Sequence, residues 1–107
     1  MQKTELKIYL HTIDKYNSNP LWEQILDTMQ KEGFLGATVY KAVAGFGKHK
    51  EIHTFEILNL SQNIPIVIET VEEKERVLKY IKKYKTMLQN CYITLKEVDV
   101  IDMKEFE

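Results

Sequence analysis

Leu6, Ile8 and Leu10 alternate with Lys7, Tyr9 and His11, the period of two that marks a half-buried strand, because successive side chains point to opposite faces. Beyond a polar loop at residues 14–19 the period changes. Leu21, Trp22, Ile25, Leu26 and Met29 recur three and four apart, the stripe of an amphipathic helix. Pro20 suits its first turn behind an Asn19 cap, and Gly33 stops it. "GATVYKAVAGF", residues 36–46, is β-branched and aromatic between glycines and predicts a second strand. "IPIVIETV", residues 64–71, predicts a third, with Pro65 near its start where a missing donor is tolerated. Residues 72–88 read as a second helix that buries Val77, Leu78, Ile81, Tyr84 and Leu88. Its acidic residues Glu72, Glu73 and Glu75 come early and Lys82, Lys83 and Lys85 late, matching the helix dipole. "CYITLKEVDVI", residues 91–101, is a fourth strand whose apolar phase slips between Leu95 and Val98, which predicts a bulge.

The order is βαββαβ, an α+β chain of the ferredoxin-like kind: a four-stranded antiparallel sheet with two helices on one face, in a single domain over residues 1–107. Two helices cover one face of such a sheet. Yet the third strand carries Ile64, Ile66 and Ile68 on one side and Val67 and Val71 on the other, with Glu69 the polar exception. The uncovered face is expected to be buried against sister subunits.

Composition narrows the function classes. Apolar residues make up 44% and charged residues 29%, with a net charge of −1; this is the balance of a folded domain and argues against disorder and against nucleic-acid binding. A single cysteine, Cys91, allows no internal disulfide and fits a reducing compartment. "MQKTELKIYL" goes straight from charge into alternation, so no signal peptide is expected, and no apolar run reaches bilayer length. A cytoplasmic protein is the expectation.

Candidate chemistry gathers in "AVAGFGKHKEIHT", residues 42–54. It opens a connection over residues 48–63, far longer than a hairpin loop. Gly45 and Gly47 would allow positive φ and close approach of a ligand, and successive N–H groups there could cradle an anion, with Lys48 and Lys50 supplying countercharge. The plain alternative is a turn with solvated lysines. His49 and His53, four apart, would hold a metal if helical, with His11 joining them, against the simpler reading of loop histidines bonded locally. The Gly-Phe-Gly of RNA-binding ferredoxin-like domains lies inside the third strand, whereas here Lys48-His49-Lys50-Glu51 follows the second, which speaks against RNA. No nucleophile stands beside an evident base, so a binding module is favoured over an enzyme.

The run "GFLGATVYKAVAGFGKHKEIHT" on this frame resembles the PII signalling proteins, and more closely the PII-like family of small prokaryotic proteins, from Leu6 to Val100. The resemblance implies a homotrimer with an adenine nucleotide in each cleft between neighbouring subunits. It matches Gly36 and Thr38 to the residues near the base, Gly45, Phe46 and Gly47 to the start of the regulatory loop, and Lys48 and Lys50 to the basic positions on the phosphate side. Two phosphate-gripping elements of true PII proteins have no counterpart, since "MLQNC" stands at residues 87–91 and "DVIDMKEFE" carries no arginine pair. AMP or ADP is therefore expected over ATP, with no metal. No tyrosine lies in residues 48–63, so regulation by tyrosine modification is not implied. That loop is the expected switch, or the docking element for a soluble or membrane protein target. Divalent-cation tolerance proteins share the trimeric architecture, which makes a metal-binding trimer the alternative, and a small enzyme the further one.

Overall fold

The first alternation forms β1 (Gln2–His11), with Leu6, Ile8 and Leu10 buried and Lys7 and Tyr9 turned to the opposite face. The computed structural model describes residues 1–46, 53–54 and 63–107. Two strands flank β1 in antiparallel pairing: β7 (Pro65–Glu72), from Thr4↔Glu72 to His11↔Pro65, and β8 (Tyr92–Asp99), from Gln2↔Asp99 to Tyr9↔Tyr92. β4 (Thr38–Lys41) pairs antiparallel with the outer side of β7, giving the order β4-β7-β1-β8 of a ferredoxin-like sheet. α1 (Leu21–Lys31), α2 (Lys74–Lys83) and the single turn α3 (Lys85–Leu88) bury Ile25, Met29, Val77, Tyr80 and Leu88 against Leu6, Ile8, Ile66 and Ile68. The helices thus share one face. On the other face the register lines up Tyr40, Val67, Tyr9 and Tyr92 in one row across the sheet, and Thr38, Glu69, Lys7 and Thr94 in the next.

Several expectations need correction. The second strand stops at Lys41, because the next residue meets a proline: the Ala42 N–H donates to Pro65 O at 2.9 Å, and Pro65 has no N–H to return the bond. The chain then bends, and β5 (Ala44–Gly45) pairs with β6 (His53–Thr54) in a separate two-stranded ribbon. The polar loop at residues 14–19 is a hairpin. β2 (Lys15–Tyr16) and β3 (Asn19–Pro20) flank Asn17 and Ser18, both at positive φ (51° and 67°), the signature of a type I′ turn. Asn19 does not cap α1; its side-chain amide donates to Asn17 O at 3.3 Å, while Gln24 Nε2 reaches back to Tyr16 O at 2.7 Å.

Glu72 is not a solvated helix residue but the last residue of β7, 2% exposed. The second helix turns inward at Tyr80 rather than Leu78, which is 45% exposed. Tyr80 can be buried because its hydroxyl shares a 2.8 Å hydrogen bond with Thr28, and Phe34 and Tyr84 pack against its ring at 5.3 and 4.9 Å. The helix is interrupted at Tyr84. β8 pairs without a bulge. As an edge strand it is only half covered on either face, so its apolar phase slip is tolerated without an extra residue.

Candidate functional site

Gly36 and Thr38 lie where the α1–β4 connection enters the sheet. Both are exposed, and a Cβ built on Gly36 would meet nothing within 4 Å. This open turn is held from below by three side chains. The Thr70 hydroxyl, buried at 3% exposure, donates to Gly36 O. The Leu35 N–H donates to Glu72 Oε2 at 3.1 Å. Arg76 forks between two partners, Nη1 to Glu72 Oε1 at 3.1 Å and Nη2 to Glu32 O at 2.7 Å, with its guanidinium 5.7 Å from the Phe34 ring centre. Gly33 completes the turn at φ +80°, where a Cβ would come within 3.0 Å of Arg76 Nη2. Read from the sequence, Thr70 and Arg76 have no role at the site, Gly33 is only a helix stop and Glu72 only an acidic residue of the second helix. A signal was present in that Arg76 is the chain's only arginine and stands four residues after a glutamate.

Gly45 and Phe46 lie beyond the far end of β4. Five residue steps separate Gly36 from Lys41, roughly 17 Å of extended chain, so Gly36 and Thr38 are not brought together with Gly45 and Phe46 within one protomer. Gly45 does not adopt positive φ; it is extended in β5, and its Cβ position faces the Pro65 ring at 3.6 Å. At that distance a Cβ makes an ordinary contact, so neither a left-handed turn nor crowding requires glycine here. Phe46 is 74% exposed. Gly47, Lys48 and Lys50, with His49 and most of the 48–63 loop, lie outside the described residues. Among the described residues no group of three or more His, Cys, Asp or Glu is arranged to hold a metal.

A cleft of about 480 Å³ runs along α1 beside the open turn, walled by Trp22, Leu26 and Phe34 with Gly36 and Ala37 at its rim. On the uncovered sheet face, Glu69 accepts from Tyr40 and its negative charge adds to that bond, holding the phenol above its ordinary range. At the helix end, hydrogen bonds from Lys83 Nζ and the Tyr84 hydroxyl, each 2.8 Å from Glu32 Oε2, pull the Glu32 carboxyl below its usual range.

A model of the DUF190 family, described as "Uncharacterized ACR, COG1993", matches residues 3–100. A UPF0166 protein of Aquifex aeolicus (strain VF5) is 32% identical over 101 residues, covering 94% of this chain and 95% of its own. The UPF0166 protein MJ1524 of Methanocaldococcus jannaschii is 33% identical over 103 residues, covering 95% and 94%. Among solved structures, CPII of Thiomonas intermedia K12, a nitrogen regulatory PII-like protein bound to ADP, AMP and bicarbonate, superposes with a TM-score of 0.69 at 16% identity over 94% of this chain and 96% of that one. A putative PII-like signaling protein of Thermus thermophilus, TTHA0516, gives 0.68 at 14% identity over 100% and 97%.

Proposed function

The chain belongs to the DUF190 family and has the fold of PII-like proteins, and on that premise we propose that it is a PII-like regulatory protein that binds AMP or ADP at clefts between the subunits of a homotrimer. The observation that carries this reading is the open, braced turn at residues 36–38 at one end of β4, with Gly45 and Phe46 beyond the other, on a fold solved in CPII with ADP and AMP. AMP or ADP is too short to lie between those two ends of one protomer, so the base end of one subunit and the phosphate end of its neighbour share a nucleotide in the cleft between them. Gly45, Phe46 and Gly47 form the start of the phosphate end, and Lys48 and Lys50 supply its positive charge. The loop over residues 48–63 is the element that senses the ligand and meets a protein target. The protein acts in the cytoplasm, by binding rather than catalysis.

The uncovered sheet face supports the trimer: Tyr9, Tyr40 and Tyr92 are exposed there beside Val67 and a mixture of Glu5, Lys7, Glu69 and Lys96. Light scattering at micromolar concentration is expected to give three times the monomer mass. The nucleotide reading is tested by thermal shift against AMP, ADP and ATP. A ligand that binds only the native state stabilises it by about 2.7 kcal/mol at a hundred times its dissociation constant, a rise of roughly 10 °C for a chain of this size. AMP or ADP is expected to raise the melting temperature more than ATP, and no shift with any of the three rejects the assignment.

A further inference from the structure

Glu72 presents a problem of energetics. Taking a carboxylate out of water is unfavourable by several kcal/mol, and its guanidinium partner restores that only in part, so a buried pair stabilises a fold little more than apolar residues of the same volume would. Here the carboxylate at 2% exposure and the Thr70 hydroxyl at 3% do not hold core elements together. They hold an exposed turn. Leu35, whose N–H Glu72 accepts, leaves its own side chain 85% exposed, and Gly36, whose carbonyl Thr70 engages, has open space where a side chain would stand. Arg76 ties the same carboxylate to the Glu32 carbonyl. Three side chains from β7 and α2 thus fix the backbone of residues 32–36, and through it the direction in which β4 leaves the turn.

We infer that Thr70, Glu72 and Arg76 are positioning residues for the base end of the nucleotide site, an assignment that rests on the nucleotide reading and adds base selectivity to it. β4 is an edge strand whose Thr38 and Tyr40 face β7, in phase with the Ala42 bond to Pro65, so Val39 and Lys41 between and beyond them turn both N–H and C=O away from β7. A C=O beside an N–H pairs with adenine, which offers an amine donor next to a ring-nitrogen acceptor. Guanine presents the reverse, a carbonyl oxygen next to an N–H. Selectivity of this kind depends on the backbone being held, because a turn free to rotate its peptides accommodates either base.

The experiment compares ADP, GDP and inorganic tripolyphosphate, by calorimetry, on the full chain and its Thr70→Val, Thr70→Ser and Glu72→Gln variants. Thr70→Val keeps the shape and removes the bond to Gly36, whereas Thr70→Ser keeps the hydroxyl. For Thr70→Val and Glu72→Gln, ADP affinity is expected to fall about tenfold, the worth of one hydrogen bond, with GDP and tripolyphosphate unchanged. Thr70→Ser restores the wild-type ADP to GDP ratio. If Glu72→Gln fails to fold, the Thr70 pair alone decides. An unaltered ratio in Thr70→Val, or an equal loss for all three ligands, overturns the positioning role while leaving nucleotide binding in place. Wild-type protein that binds neither ADP nor GDP rejects the functional reading itself and this assignment with it.

Discussion

Tyr80 shows how one residue can sit deep in a core and still carry a polar atom. Burial raises its phenol to about 12, against an ordinary value of 10.0, although the hydrogen bond with Thr28 works the other way. The proton is therefore held more tightly in the folded state than in the unfolded chain. Stability from this group is complete below pH 10 and is lost as the pH rises from 10 toward 12, because only the unfolded state ionises readily there. Tyr80→Phe is expected to flatten that alkaline loss in urea titrations while destabilising the protein by about 1 kcal/mol at neutral pH, through the Thr28 bond. Arg76→Ala leaves Glu72 buried without its counter-ion and is expected to remove about 3 kcal/mol, read as a lower urea midpoint. Neither residue was visible in the hydrophobic pattern, for opposite reasons. Tyr80 lies among Val77, Leu78 and Ile81, where the helical period alone admits Leu78 or Tyr80 on the buried face, and only the location of a partner for the hydroxyl decides. Glu72 carries a charge in a run of acidic residues, and its burial depends on Arg76 and Leu35, one of them 37 residues away in sequence.

At the level of elements, the strands along β1 and β7 were legible because Leu6, Ile8, Leu10, Ile66 and Ile68 follow the pleat, and pairing with either neighbour preserves it. Connections were harder, because one backbone group often settles them. The β-like composition of residues 36–46 runs on through Ala42 and Val43, yet the missing donor of Pro65 ends the ladder. Turn chemistry likewise overrode composition at Asn17-Ser18, where two residues at positive φ make a hairpin of what reads as a polar loop. Ser18→Gly is expected to stabilise the protein by about 0.5 kcal/mol, since glycine reaches φ 67° without the strain a Cβ brings; a raised melting temperature checks it. The glycines divide in the same way. Gly33→Ala, at φ +80° and 3.0 Å from the Arg76 guanidinium, is expected to lose about 1–2 kcal/mol, whereas Gly45→Ala makes an ordinary contact with Pro65 and leaves the stability read from thermal melts unchanged within about 0.5 kcal/mol.

Across the whole molecule, the sheet presents one face to its helices and the other outward. The ferredoxin-like arrangement was legible from the order of periods alone, since strands of period two and helices of period 3.6 alternate as βαββαβ and short connections leave few ways to join them. The candidate site was legible in part. Its glycines and lysines stand out in the sequence, but the bracing of Gly36 by Thr70 and Glu72 comes from contacts 34 and 37 residues apart that no local pattern records. Tyr9→Glu, placing a charge in the otherwise uncharged row beside Tyr92, is expected to shift the proposed trimer to monomer in light scattering while circular dichroism keeps its helix and strand signal, because the side chain points away from the core.

Met1 and Val100 lie side by side at one corner of the sheet, where Val100 N–H donates to Met1 O at 2.8 Å and the Met1 amino group donates to Val100 O at 3.3 Å. β1 then runs its ten residues away from that corner, about 30 Å, and His11 at its far end pairs with Pro65, over whose ring Gly45 passes. A fluorophore or a sensor-chip tether attached at Met1 thus stands a full sheet length from Gly45 and Phe46. Immobilised by that corner, the protein holds Gly45 and Phe46 at the end of the sheet away from the support, so a ligand meeting the chain there is not obstructed by it.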